Sequence, residues 1–367
     1  MALVHGVVEG SYRTTAGWLN RIRHQKAATR VRTLQEVAEA EGAKVAACLE
    51  AAAEATLLEA GFSAEGVPLE PVPGLPRVGP KLDARKVATV VAGLEIDQTQ
   101  RQQATNNTVP YEDPRQAVYL SIDDVWVHHQ KDHRSLEPPE GVKAAQEASF
   151  VHTTVAHVAT SAGSHVLSGA SAPSVLRLVT AFLIANALVR RPLVVFVDGQ
   201  RTLHAAIQKA FAWMGAMRII LDWYHLEKKC GVQLSLAMKG KAARTEALAK
   251  VSHLLWYGLI DEAIRALRGL PSQKVKNEEA IEALVTYLER TRAIVPCYAA
   301  RKRLGLRNSS NVGEKHNDLI VSGRQKRKGM SWSQPGSHAL AAITTLVRNG
   351  QHEQWFTAGE VDLRMAA

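Results

Sequence analysis

A chain of 367 residues, 46% hydrophobic and 22% charged, has the composition of a soluble globular protein and is long enough for two or three domains. Its formal net charge of +10 and pI near 9.6 point to a polyanionic partner. Nucleic acid is expected before membrane, because no lipidation signal or long apolar helix accompanies the charge. Cys48, Cys230 and Cys297 lie far apart without CxxC pairing, which argues against a disulfide framework or a zinc finger and fits a reducing cytosol. The opening MALVHGVVEGSYR lacks the basic-then-apolar pattern of an export signal, so a cytoplasmic, nucleoid-associated location is expected.

In chain order, residues 11–60 read as helical: 16–23, then 33–41 after a loop-like 26–30, then the Ala-rich 43–60. Two short helices with Arg21, Arg23, Arg30 and Arg32 beside their joint suggest a helix-turn-helix, so 1–62 is expected to be a helical DNA-recognition region. Pro68, Pro71, Pro73, Pro76 and Pro80 among glycines mark a semi-rigid linker, and 63–112 is read as linker and irregular segment.

A strand begins at 117–122 (AVYLSI) and continues through Asp123 and Asp124 into 125–127. Unpaired carboxylates inside a strand cost several kcal/mol by order of magnitude if buried, so something must compensate them. Residues 150–158 and 165–168 supply two further strands, and 175–189 a long apolar helix. The Val-rich run Leu193–Val197 has the signature of a strand buried on both faces, and it stops at Asp198-Gly199. Leu203, Ile207, Ala210, Phe211 and Met214 then recur at helical spacing before a second buried strand at 218–221 stops at Asp222. Ligands in open α/β sheets collect where strands end, which singles out Asp198 and Asp222.

From 226 to 306 the period is helical, with Leu248, Val251, Leu254, Leu255, Leu259, Ala263, Ile264 and Leu267 on one face and a break at Pro271. Trp256 lies beside that face, where it either packs or acts as a base-stacking wedge on DNA. Ser309, Ser310 or Asn311 can cap a later helix carrying Glu314, Asn317 and Asp318. Between 301 and 330, nine basic residues (Arg301, Lys302, Arg303, Arg307, Lys315, Arg324, Lys326, Arg327, Lys328) face only Glu314 and Asp318, as expected of a phosphate-binding surface.

Asp123, Asp198 and Glu314 thus stand on the first strand, the fourth strand and a late helix. Taken singly, Asp198 can cap a turn and Glu314 can complete a capping box. In a ribonuclease H-like arrangement the first and fourth strands are neighbours and the late helix crosses beside them, so the three converge. Carboxylates brought to about 4 Å repel by roughly 4 kcal/mol per pair at an effective dielectric near 20, so such a cluster makes sense chiefly as a metal site. Oxygen-only ligands suit Mg²⁺ or Mn²⁺, and two ions about 3.5 to 4 Å apart serve phosphodiester chemistry. In that strand order the fourth strand lies about 4.8 Å from the first and the fifth about 9.6 Å away, which favours Asp198 as ligand and leaves Asp222 and His225 in support.

VHTTVAHV, FVDGQ, LDWYHLEKKC, GEKHN and KGMSWSQPGSHAL resemble segments of DDE transposases of bacterial insertion sequences, in the Mutator-like group with a helical insertion between the second Asp and the Glu. The resemblance spans roughly 110–350, and Asp222-Trp-Tyr-His225 matches that group's D-x-x-H signature. It implies an α/β fold: a ribonuclease H-like mixed sheet at 113–230 and 304–350, an all-helical insertion at 231–303, and a C-terminal tail at 351–367. It implies cleavage of element ends and joining of the 3′-OH to target DNA, with Mg²⁺ or Mn²⁺ on Asp123, Asp198 and Glu314, by a homodimer or larger assembly on DNA. Of the Asp pair, Asp123 is assigned as the ligand; many relatives carry Gly or Glu where this chain has Asp124. A nuclease of the same fold without strand transfer, and a DNA-binding descendant without catalysis, are the alternatives.

Overall fold

The structure is a computed structural model that describes residues 10–26, 28–77, 79–130, 150–327 and 330–365. Helices α1 (Tyr12–Ile22), α2 (Val31–Glu59), α3 (Ala84–Ala92) and α4 (Gln98–Thr105) precede a mixed sheet. The sheet is built from β1 (Val118–His128), β2 (Phe150–Ala159), β3 (Ser164–Gly169), β4 (Leu193–Val197) and β5 (Met217–Leu221). Helix α5 (Ala172–Ala185) leads into β4, and α6 (Arg201–Ala210) connects β4 to β5. A helical block follows: α7 (Trp223–Ala237), α8 (Lys241–Trp256), α9 (Ile260–Arg268), α10 (Glu278–Thr291) and α11 (Tyr298–Arg303). Then come α12 (Asn311–Asn317), a π-helical turn Asp318–Ser322, α13 (Gln334–Arg348) and α14 (His352–Ala358).

The strand order is β3-β2-β1-β4-β5, with β1, β2 and β3 antiparallel and β1, β4 and β5 parallel. The protein is therefore α/β with a mixed five-stranded sheet. All five β4 residues are buried, as its continuous apolar run predicts. The pairing of β1 with β4 ends at Ser121 opposite Phe196, while β1 stays paired with β2 as far as His128 opposite Phe150. Asp123 therefore sits where β1 outruns its parallel neighbour.

Side-chain alternation along β1 sends Leu120 and Ile122 to a core shared with α5, and Val125 and Val127 to one shared with Ile320, Val321, Trp332 and Leu340. Among the described residues no helix is long and apolar enough to cross a membrane.

The N-terminal region differs from the expectation. Residues 33–41 and 43–60 form one continuous helix, α2, because Gly42 is not a break but a contact: a Cβ there would overlap the Ala339 backbone of α13. A mid-helix Gly costs about 1 kcal/mol in propensity, and here the close helix approach offsets it. Ala38, Val45 and Leu57 of α2 each enter a different core cluster, so the boundary expected at 62 does not separate packing units. The 63–112 segment is not all linker either: α3 is capped by Asp83 and α4 opens on a capping box of Asp97 and Gln100. The tail from 351 carries α14, and its Leu363 is buried, with the Leu363 carbonyl and Met365 N–H both bonded to the Asn186 side chain.

Gly42→Ala is expected to lower stability by about 1–3 kcal/mol in urea unfolding through overpacking. Gly17→Ala in α1, where a Cβ meets nothing within 4 Å, is expected to be neutral or stabilising by up to about 1 kcal/mol. Equal effects at the two positions would refute the close-approach account of Gly42.

Candidate active site

Asp123, Asp198 and Glu314, separated widely in sequence, line one small cleft together with Ser121, His225, Ser310 and Asn317. Its free volume is ≈ 10 Å³, about that of one water, so holding two ions would require the carboxylates to move apart. The Oδ1 of Asp123 accepts from the Asp124 N–H at 2.8 Å and its Oδ2 from Asn317 Nδ2 at 3.1 Å. Burial, and then the charge of Asp198, push the Asp123 carboxyl up to about 6. Asp124 takes the opposite face of β1, as strand alternation requires, and accepts from the hydroxyl of Thr154, its partner in register on β2.

Asp198 follows β4 in a tight turn, its Oδ1 accepting from the Gln200 N–H at 2.7 Å. Gly199 has φ 86°, the left-handed region that glycine favours, and a Cβ there would lie 2.7 Å from the Tyr287 hydroxyl. That hydroxyl, from α10, donates to the Asp198 carbonyl at 3.2 Å, and Arg290 Nη2 donates to the Gly199 carbonyl at 3.1 Å. The helical block thus braces the turn that presents Asp198, a role the sequence did not signal.

Asp222 is 1% exposed. Its Oδ1 caps α7 by accepting from the Tyr224 and His225 N–H groups at 2.8 and 3.3 Å. Its Oδ2 accepts from the Ser310 N–H, and from the Ser310 hydroxyl at 2.6 Å. With four donors on two oxygens, Asp222 is a clasp between β5 and the start of α12. Of Ser309, Ser310 and Asn311, the three candidates for the cap, Ser310 stands at the cap position but turns its hydroxyl onto Asp222 instead of the helix. The Nε2 of His225 lies 2.9 Å from Glu314 Oε1.

Gly313 allows α12 to lie on β1, since a Cβ there would be 2.6 Å from the Ser121 Cβ. Behind α12, the His316 ring stacks on His157 of β2 at 4.6 Å. Burial, chiefly, pushes His157 down to about 4, so that ring is neutral at pH 7.

The oxygen-rich donor set and the mutual repulsion of Asp123 and Asp198 fit a hard divalent cation. The arrangement is nonetheless not a closed ligand cage: among the described residues no group of three or more His, Cys, Asp or Glu is spaced to hold a metal ion. Glu314 is drawn to His225 and Asp123 to Asn317.

The expected basic surface is largely dispersed. Arg301 is 0% exposed and forms a two-pronged ion pair with the Glu112 carboxylate at 2.8 and 2.6 Å, with further bonds to the Arg307 carbonyl, so it is structural and cannot reach DNA. Arg324 is 5% exposed, recessed between Tyr12 and Trp332 rather than standing on the outer surface with Lys326 and Arg327. Arg303 donates to the Gly93 carbonyl and lies 3.6 Å from Glu95.

Trp256 packs edge-on against Trp223 at 4.8 Å and stacks on buried Tyr298 at 6.0 Å, with Lys302 over its ring at 5.8 Å; it is part of a packed cluster rather than a free wedge. Lys302, Arg303, Lys326 and Arg327 are exposed, and Lys328 lies outside the described residues.

No family model, no curated protein and no solved structure matches this chain.

Arg301→Ala is expected to cost about 3–5 kcal/mol in urea unfolding, because it leaves the Glu112 carboxylate buried and unpaired. A loss below about 1 kcal/mol would contradict the ion-pair account. The raised Asp123 carboxyl has a definite sign in stability. The native state holds its proton between the ordinary carboxylate value and about 6, so stability falls as pH rises through that window, by on the order of 2–3 kcal/mol at its upper end. Asp123→Asn should remove that slope, checked by unfolding from pH 4 to 7 without divalent ions; an unchanged slope would refute the assignment.

Proposed function

We propose that this protein is a DDE-type polynucleotidyl transferase of ribonuclease H-like fold, an insertion-sequence transposase that cuts element ends and joins them to target DNA. The observation that carries the reading is the convergence of Asp123 on β1, Asp198 after β4 and Glu314 on α12 in one cleft. Supporting it are the strand order, with β1 flanked by antiparallel β2 and parallel β4, the helical block between β5 and the Glu helix, and the net charge of +10.

Asp123, Asp198 and Glu314 are the residues that would hold Mg²⁺ or Mn²⁺. A pair of such ions, when bound, supplies activation of the attacking oxygen and stabilisation of the leaving one. The chain's own residues set the positions. Asn317 orients Asp123, Tyr287 and Gly199 fix the Asp198 turn, and Asp222 through Ser310 fixes the start of the Glu314 helix. His225 holds the Glu314 carboxylate from the side. DNA is the proposed partner, with a dimer or larger assembly on it.

Asp198→Asn should abolish cleavage and joining of labelled DNA ends in Mg²⁺ or Mn²⁺ while DNA binding persists. Asp222→Asn presents an amide N–H₂ where one carboxylate oxygen accepts from Ser310, so it should lower the Tm and reduce activity without eliminating it. An active Asp198→Asn enzyme would overturn the assignment, and cleavage without joining in the wild type would identify a nuclease instead.

A further inference from the structure

Arg324 is a nearly buried cation with which no Asp or Glu among the described residues forms an ion pair. Its Nε has no hydrogen-bond partner, and its Nη1 donates to the Met330 thioether at 3.6 Å, a weak acceptor. The guanidinium lies 5.3 Å from the Tyr12 ring centre and 5.5 Å from that of Trp332. Burial, and then the neighbouring Arg327, push its pKa below the ordinary arginine value. Glu39, whose charge reaches Tyr12, accepts from Gln35 at 2.8 Å rather than from the guanidinium. Cation–π contacts supply about 0.5–2 kcal/mol each, whereas removing an ion from water costs several kcal/mol, so the rings alone compensate only part of the burial.

The surroundings are arranged to receive the missing charge. Arg324 lines an open cleft of ≈ 720 Å³ with Ser11, Arg13, Gln35, Gln130 and Ser333, and among the described residues no Asp or Glu lines it. Its backbone is held firmly. The adjacent Gln325 exchanges two hydrogen bonds with Ser337, and its carbonyl accepts from Trp332 Nε1 at 3.0 Å. Trp332 is in turn bonded through its backbone to His128 and Gln130 at 2.9 Å each. A guanidinium confined between two rings loses little freedom on binding, and its planar fork suits two phosphate oxygens. Exposed Lys326 and Arg327 follow in the next turn, which extends the positive potential outside the cleft.

We propose that this cleft is a recessed site for a backbone phosphate of a nucleic-acid strand, gripped by Arg324 with Arg13 at the rim. It rests on the reading of the chain as acting on polynucleotides, and it adds a holding point on the α1/α2 side of the molecule, built apart from the carboxylates.

The test follows the Nε–H resonance of Arg324 by ¹H–¹⁵N NMR in the full-length protein, assigned through its correlations along the wild-type Arg324 side chain. Single-stranded DNA of about 20 nucleotides should shift it. Arg324→Lys should weaken DNA binding about tenfold, and Arg13→Gln should reduce the salt slope by roughly one phosphate. If Arg324→Lys fails to fold, Arg13→Gln and the wild-type resonance still decide. A resonance that DNA leaves unmoved overturns the site, as does one moved by inorganic phosphate but not by DNA. Should DNA bind and Asp198→Asn abolish cleavage while the resonance stays put, this site is wrong and the proposed function stands; a protein that binds no DNA refutes both.

Discussion

The carboxylate of Asp222 joins two segments 88 residues apart by accepting hydrogen bonds from both. One oxygen caps α7 and the other holds Ser310 at the start of α12, and nothing in the local sequence of either segment could place α12 there alone. A buried carboxylate with four donors is stable only while both segments stay in place, so the bond couples the entry of the helical block to its exit. Glu314 reaches the cleft because of this closure, and His225 then meets it from the first turn of α7. A residue at a strand end can thus govern a site without touching what binds there.

The helical block does more than separate the last two parts of the sheet domain. Tyr287 and Arg290 bond the backbone of the Asp198 turn, and Tyr298 donates to the Leu221 carbonyl at 2.8 Å beside Asp222. The Asp198 turn and the end of β5 are therefore braced by the same block through backbone atoms. At Asp198 this fixes the turn without engaging the carboxylate, which is what a site of mutually repelling charges requires, whereas the Asp222 carboxylate is itself taken up by four donors.

Charge and function separate in an instructive way in the 301–330 segment. Its basic count is high, yet Arg301 neutralises buried Glu112, and Arg303 is spent on Gly93 and Glu95. Lys302 covers Trp256. Burial together with a saturating partner, which no composition reveals, marks Arg301 as structural. The same applies to the N-terminal helices, whose apparent independence in sequence disappears once α2 is seen packed along α13 and α5.

The sequence by itself determined those features that arise within a few residues of each other. Five strands, the turn at Asp198-Gly199, the end of a buried strand at Asp222 and the choice of Asp123, Asp198 and Glu314 as candidates were legible because apolar runs, alternation and capping residues act locally. The helices α3 and α4 were legible too, through Asp83 and the Asp97–Gln100 box, but the prolines before them masked the signal. Only the tertiary structure decided that Gly42 is a contact rather than a break, that Arg301 and Arg324 are buried, that Trp256 is packed, and that Tyr287, Asn317 and Ser310 hold the carboxylates. Each of these depends on a partner at least 33 positions away, and side-chain burial and hydrogen-bond saturation are properties of the partner as much as of the residue.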